Sequence, residues 1–163
     1  MPHHDLKWEI LAANVTLYEE VDMSRERSEE VMRRYLTGAV MEGKWEEVIP
    51  EIAAEDMWDH TQPEPGREGL KNHVSGFLAL MPDVQIVINH IIADEDKVVG
   101  VWTFRATPSA EFMDFPLGTP VEGHVATIFQ LRDGMIIDYQ VIAAGRTTTE
   151  PVQMSGISNI VQE

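Results

Sequence analysis

Residues 83–107 read DVQIVINHIIADEDKVVGVWTFRAT, and the period of this stretch decides the fold class. Val84, Ile86, Ile88, His90 and Ile92 recur at every second position, with Gln85, Val87, Asn89 and Ile91 between them, which is the period of a β-strand. Asp94-Glu95-Asp96-Lys97 forms an acidic hairpin turn, and the next strand sets Val98, Gly100, Trp102 and Phe104 against Val99, Val101, Thr103 and Arg105. Working downstream, a Pro- and Gly-containing loop leads to Val121–Leu131, whose Val121, Val125, Thr127, Phe129 and Leu131 share a face. Arg132-Asp133-Gly134 is a tight turn, and Met135–Ile142 is the last strand.

Upstream of Pro82 the period is helical. Ser24 caps a helix in which Val31, Tyr35, Leu36, Ala39 and Val40 recur on one side, and Gly43 ends it. A second helix spans 45–54, with Trp45, Val48, Ile49 and Ile52 as its apolar stripe. A loop at 62–66 precedes a third helix, 67–80, that buries Leu70, Val74, Phe77 and Leu78. Residues 1–23 form an N-terminal extension that packs on the domain or on a second subunit, 24–145 the domain, and 146–163 an irregular tail. Three helices followed by a four-strand antiparallel meander predict an α+β fold, a strongly curved sheet wrapped around the helices as a cone with an apolar interior. Such an interior with a few polar groups is the usual form of a small-molecule site.

Composition narrows the partners. The chain has 163 residues, 44% of them hydrophobic, which is enough for one core without metal or disulfide support. A net charge of −16 repels phosphate backbones and anionic lipid surfaces, so neither nucleic acid nor membrane is expected as a partner. No run is long enough to span a bilayer, no signal-peptide pattern opens the chain, and there is no cysteine, so a cytoplasmic location is expected. Phosphate-cradling loops, nucleophile elbows and HExxH signatures are absent from the sequence, and no cofactor is expected. Asp56, Asp59 and His60 are too sparse a set to predict a metal.

Several short motifs occur in a telling order: Trp58-Asp59-His60, Pro65-Gly66-Arg67-Glu68-Gly69, Met81-Pro82-Asp83, Trp102-Thr103-Phe104-Arg105-Ala106-Thr107, Glu111-Phe112-Met113 and Arg132-Asp133-Gly134-Met135-Ile136-Ile137-Asp138. Over residues 24–142 the chain resembles the SnoaL-like polyketide cyclases of the NTF2-like superfamily. The resemblance implies an α+β cone, frequent dimerisation through the outer sheet face, and members that include dehydratases, isomerases, epoxide hydrolases and non-catalytic proteins. The chain departs from the family's cyclases in three places. Ala106-Thr107-Pro108 replaces Gly-Thr-His, Thr127 stands where the cyclases carry an acid/base aspartate, and Asp138-Tyr139-Gln140 replaces Glu-His-Trp.

Asp138 preserves the chemistry of its family position and is the first candidate acid or base, with an outer-face aspartate as the competing reading. His90, among isoleucines on the apolar face of its strand, is the second, against a satisfied core histidine or a dimer contact. His60 matches a recurrent position near the family's pocket and is the third, against a loop hydrogen-bonder. Trp58, Trp102, Phe104, Phe129 and Tyr139 are candidate stacking residues or core. Phe112 and Met113 form an apolar lid loop, and Thr127 is a candidate to orient a substrate oxygen, against the favoured reading of a plain β-branched strand residue. The expected ligand is a small apolar oxygenated metabolite, of polyketide or terpenoid type, and the expected assembly a homodimer. The expected reaction is cofactor-independent cyclisation, isomerisation or dehydration. A non-catalytic binding or association protein is the alternative, and an epoxide hydrolase using Arg105 with Asp138 a third.

Overall fold

The computed structural model describes residues 5–112 and 114–148. Helix α1 runs Asp5–Arg34 and passes directly into a π-helical segment, Tyr35–Met41, followed by α2 at Trp45–Ile52. The long helix corrects the expected start at Ser24. No Gly or Pro interrupts residues 5–34, so nothing stops propagation there, and Ser24 sits mid-helix. The Ser28 hydroxyl lies 3.0 Å from the Ser24 carbonyl and 2.9 Å from the Glu95 carbonyl, tying the helix to a sheet turn. In the π-helical segment the Glu42 amide reaches back five residues to the Thr37 carbonyl at 2.9 Å, and Gly43 at φ 69° ends the run. The widened turn aims Tyr35, Leu36, Ala39 and Val40 at the core.

Strand β1, Ala53–Asp59, was not expected; α3 follows at Arg67–Leu80 as the helical period predicts. Then come β2 (Gln85–Ala93), β3 (Lys97–Ala106), β4 (Val121–Arg132) and β5 (Met135–Thr147). The sheet order is β1-β5-β4-β3-β2, so the meander has a fifth strand, β1, added parallel to β5. Asp133 and Gly134, at φ 54° and 74°, supply the double left-handed turn between β4 and β5.

Two extra residues shift the strand faces. Ile88 pairs with Trp102 but His90 with Val101, leaving Asn89 as a bulge. Leu131 pairs with Ile136 but Gln130 with Asp138, leaving Ile137 as another. Each bulge reverses the side-chain alternation beyond it, with consequences for the candidate residues.

Two close approaches on the sheet require glycine, Gly100 against α1 and Gly123 against Phe104 of the neighbouring strand. A Cβ on Gly100 would stand 2.6 Å from Met32 Sδ, and one on Gly123 would stand 2.1 Å from the Phe104 ring. Met32, Leu36, Ile49, Ile52, Leu70 and Ile136 fill the space between layers and are fully buried or nearly so, each contributing about 1.5–3 kcal/mol of transfer free energy. In contrast, residues 7–23 of α1 are exposed throughout except for a partly covered Val21.

Candidate active site

Between the concave face, α3, the π-helical segment and the β3–β4 loop lies a cavity of about 140 Å3. Val74 and Phe77 of α3, Val40, Phe104, Val125 and Val141 give it apolar walls, and Phe112 of the loop closes one side. Polar groups enter from two directions.

The first is a buried carboxylate paired with a partly buried imidazole. Asp59, the last residue of β1, is 0% exposed and pairs in register with Tyr139 of β5. Its Oδ1 accepts from the Thr61 amide at 2.9 Å and the Thr61 hydroxyl at 2.7 Å, while its Oδ2 lies 2.6 Å from His73 Nδ1. A carboxylate only accepts, so Nδ1 carries a proton, and in the neutral imidazole the lone pair is on Nε2. His73 lines the cavity, packed edge-on against Tyr139 with ring centroids 5.2 Å apart.

The second is a directed chain of hydroxyls. Trp102 Nε1 donates to the Thr127 hydroxyl at 3.1 Å, and Thr127 exerts a lowering influence on the pKa of the Tyr139 phenol. Tyr35 donates its phenol to the Tyr139 oxygen at 3.2 Å. Tyr139 accepts from Tyr35 and lines the cavity, so its own O–H can donate to a ligand there. Burial pushes both phenols well above their ordinary value, and the nearby Asp59 adds to this. Tyr35 and Thr127 act the other way on Tyr139 and sharpen it as a donor.

The expected candidates divide sharply. Trp102, Phe104, Phe112 and Tyr139 line the cavity. Thr127 and Phe129 are fully buried behind it, Thr127 in the hydroxyl chain and Phe129 edge-on against Tyr35 at 5.1 Å. Met113 lies outside the described residues. Asp138, expected at the cavity wall, is on the outer face, because the Ile137 bulge reverses the alternation after Ile136. His60 is there too, its Nε2 2.5 Å from Asp138 Oδ1. Trp58 is 43% exposed and stacks on His60, so it is neither cavity wall nor core. His90 is corrected for the same kind of reason: the Asn89 bulge turns it outward opposite Val101, and it is exposed. Arg105 pairs with Glu122 at 2.9 Å on the outer face, so the Arg105–Asp138 pairing of an epoxide hydrolase does not form in the cavity.

His73, Asp59 and Tyr35 carry the polar site and were not among the expected catalytic residues. His73 had a readable signal, since Leu70, His73, Val74 and Phe77 follow the i, i+3, i+4, i+7 spacing of a single buried helix face. Asp59 had none, because its strand was unrecognised. Among the described residues, no cluster of three or more histidines and carboxylates could hold a metal ion, and no helix is long and apolar enough to cross a membrane.

Comparison with known proteins agrees with this architecture. The family model for the SnoaL-like polyketide cyclase matches residues 29–143. A SnoaL-like polyketide cyclase from Agrobacterium tumefaciens superposes with a TM-score of 0.62 at 17% identity, covering 70% of this chain and 88% of that one. TsrD from Streptomyces laurentii gives 0.63 at 19% identity, covering 73% and 89%. IdmH from Streptomyces antibioticus gives 0.55 at 27% identity, covering 70% and 89%. No curated protein matches the sequence significantly. With the family model spanning well over half of the sequence and the cone matching solved members, this chain belongs to the SnoaL-like polyketide cyclase family on an NTF2-like fold.

Proposed function

We propose that this protein is a cofactor-independent enzyme that moves a proton α to a carbonyl, cyclising, isomerising or dehydrating a small apolar oxygenated metabolite of polyketide or terpenoid type. The observation that carries the reading is the fully buried Asp59 held 2.6 Å from His73 Nδ1 at the wall of an otherwise apolar cavity. A buried carboxylate without a polar partner would be expensive, and here its partner is a titratable side chain that meets the ligand space.

In this reading His73 Nε2 takes the α-proton and Asp59 stabilises the imidazolium that forms. Electron density moves onto the carbonyl oxygen, which accepts the hydrogen bond that Tyr139 has left to give. The raised phenols stay protonated and act as donors rather than bases. The imidazolium then returns the proton at the carbon or oxygen where ring closure, isomerisation or loss of water ends. Apolar walls exclude water and hold one conformer of the substrate. The volume of about 140 Å3 is near that of a cavity which holds a single benzene ring. A multi-ring substrate therefore needs the Phe112 segment to swing outward. A homodimer in the cytoplasm remains the proposed setting.

The test follows the proton itself. Wild type and His73→Gln are incubated in D2O with a panel of aryl and alicyclic ketones, and α-hydrogen exchange is followed by NMR. Exchange accelerated by wild type and lost with H73Q is the expected result. Ligands that bind both proteins equally while neither accelerates exchange would instead favour a non-catalytic binding protein on the same cone.

A further inference from the structure

The projecting part of α1 carries more apolar surface than a solvated helix should. Among the described residues nothing covers it from Lys7 to Met23 beyond partial cover of Val21, a length of about 25 Å at 1.5 Å per residue. Trp8 is 70% exposed, Leu11 53%, Val15 54% and Tyr18 74%. Their spacing of three, four and three places them in one narrow seam, the a and d positions of a coiled coil. The seam is symmetric about Ala13. Reversing the helix end for end exchanges Trp8 with Tyr18 and Leu11 with Val15, so the stripe is complementary to itself.

Charge favours one direction of pairing. Glu19, Glu20 and Asp22 gather at one end of the segment, whereas at the other Lys7 offsets Glu9, so that end is the less negative of the two. Side by side in parallel, two copies would stack three acids on three acids. Antiparallel, Lys7 comes to the level of Glu19, Glu20 and Asp22 of the second copy, and opposed helix dipoles add to the preference. The same acids disfavour an anionic lipid surface as occupant.

We infer that residues 8–18 of α1 pair antiparallel with the same segment of a second copy of this chain, Trp8 packing on Tyr18 and Leu11 on Val15. The contact does not depend on the sheet, so it joins two complete domains and leaves both cavities free. It is short compared with a standard interface, so assembly depends on concentration.

Sedimentation velocity of the full chain tests it. The mass rises from 18.4 kDa toward twice that value as concentration increases from about 1 to about 200 µM. The Leu11→Glu, Val15→Glu double variant stays monomeric with an unchanged thermal midpoint, since both side chains are exposed. A wild type that is monomeric throughout, or an assembly the double variant leaves intact, would overturn the inference. So would a monomer that binds phosphatidylglycerol vesicles through this helix. Direction is read separately, because the chain has no cysteine of its own. A mixture of Leu11→Cys and Val15→Cys chains under glutathione redox buffer gives the mixed disulfide. Disulfides between like chains would indicate parallel pairing and refute the antiparallel arrangement.

Discussion

Replacing Asp59 with asparagine changes few atoms and has an outcome that the local hydrogen bonds dictate. The Thr61 amide and hydroxyl both reach Oδ1, at 2.9 and 2.7 Å, and His73 Nδ1 reaches Oδ2 at 2.6 Å. A backbone N–H can only donate, so the asparagine oxygen must take the Oδ1 place and its NH2 the Oδ2 place. The amide then donates to Nδ1, which loses its proton, and the neutral imidazole carries its proton on Nε2 instead. The nitrogen assigned as the base has then become a donor. Weakening three charge-assisted hydrogen bonds to neutral ones removes roughly 2 kcal/mol, and relief from burying a charge returns part of it. The thermal midpoint should therefore fall by only a few degrees, on the order of 2–4 °C per kcal/mol lost. Ketone α-exchange should fall by about 10²–10⁴, the usual contribution of a positioned base. Long-range 1H–15N correlation spectra near neutral pH distinguish the two tautomers directly, without a substrate. If Nδ1 remains protonated in D59N, or exchange stays within about threefold of wild type, the assignment of Asp59 as the orienting carboxylate is wrong.

Other outcomes follow from the same geometry. Tyr139→Phe removes the donor that faces the cavity but keeps its apolar packing, so exchange should drop about 10- to 100-fold with little change in ligand affinity; equal losses in both would sink the donor role. Because both buried phenols are raised above their unfolded value, their stabilisation is complete below about pH 10 and is lost as pH rises beyond it, when the unfolded chain ionises first. Alkaline unfolding curves of Tyr35→Phe and Tyr139→Phe should accordingly be flatter than that of wild type. At the other extreme, hydrogen bonds from Arg146 and Arg105 hold Glu122 at about 2. Its contribution is present above its unfolded value and is lost as pH falls through about 2. Glu122→Gln should flatten urea stability between those limits, and an unchanged acid slope would contradict the ion cluster. Gly123→Ala places a methyl 2.1 Å from the Phe104 ring; overpacking of about 1–3 kcal/mol should lower the thermal midpoint and distort the cavity wall.

The third helix and the four-strand meander were legible because their apolar periods are long: α3 at 67–80 and the strands that follow it match their sequence patterns closely, whereas the first helix begins well before its expected start at Ser24. Strand β1 was not, because Ala53-Ala54-Glu55-Asp56-Met57-Trp58-Asp59 has no β-branched residue and two of its three exposed positions, Glu55 and Asp56, are acidic. It exists through pairing with β5, a contact made across a long sequence separation. The site was misread for a related reason. Period-two reasoning assumes an unbroken strand, and one unpaired residue at Asn89 and another at Ile137 moved His90 and Asp138 to the opposite face. Neither residue type announces a bulge. Thr127 and Tyr139, noted as departures from the family's Asp and His, form part of the hydroxyl chain at the cavity wall.

The parallel pairing of β1 with β5 also governs when the site can exist. Asp59 gains its register with Tyr139 only after nearly all of the domain has been made, so a nascent chain holds the carboxylate, the imidazole and the phenols apart until β5 leaves the ribosome. Closing that distant pairing demands loop entropy that no local contact repays in advance. The docking of β1 is thus expected to be a late event in folding. Until it happens, β5 presents an unpaired edge to other chains, the stage at which aggregation competes most strongly with the native route.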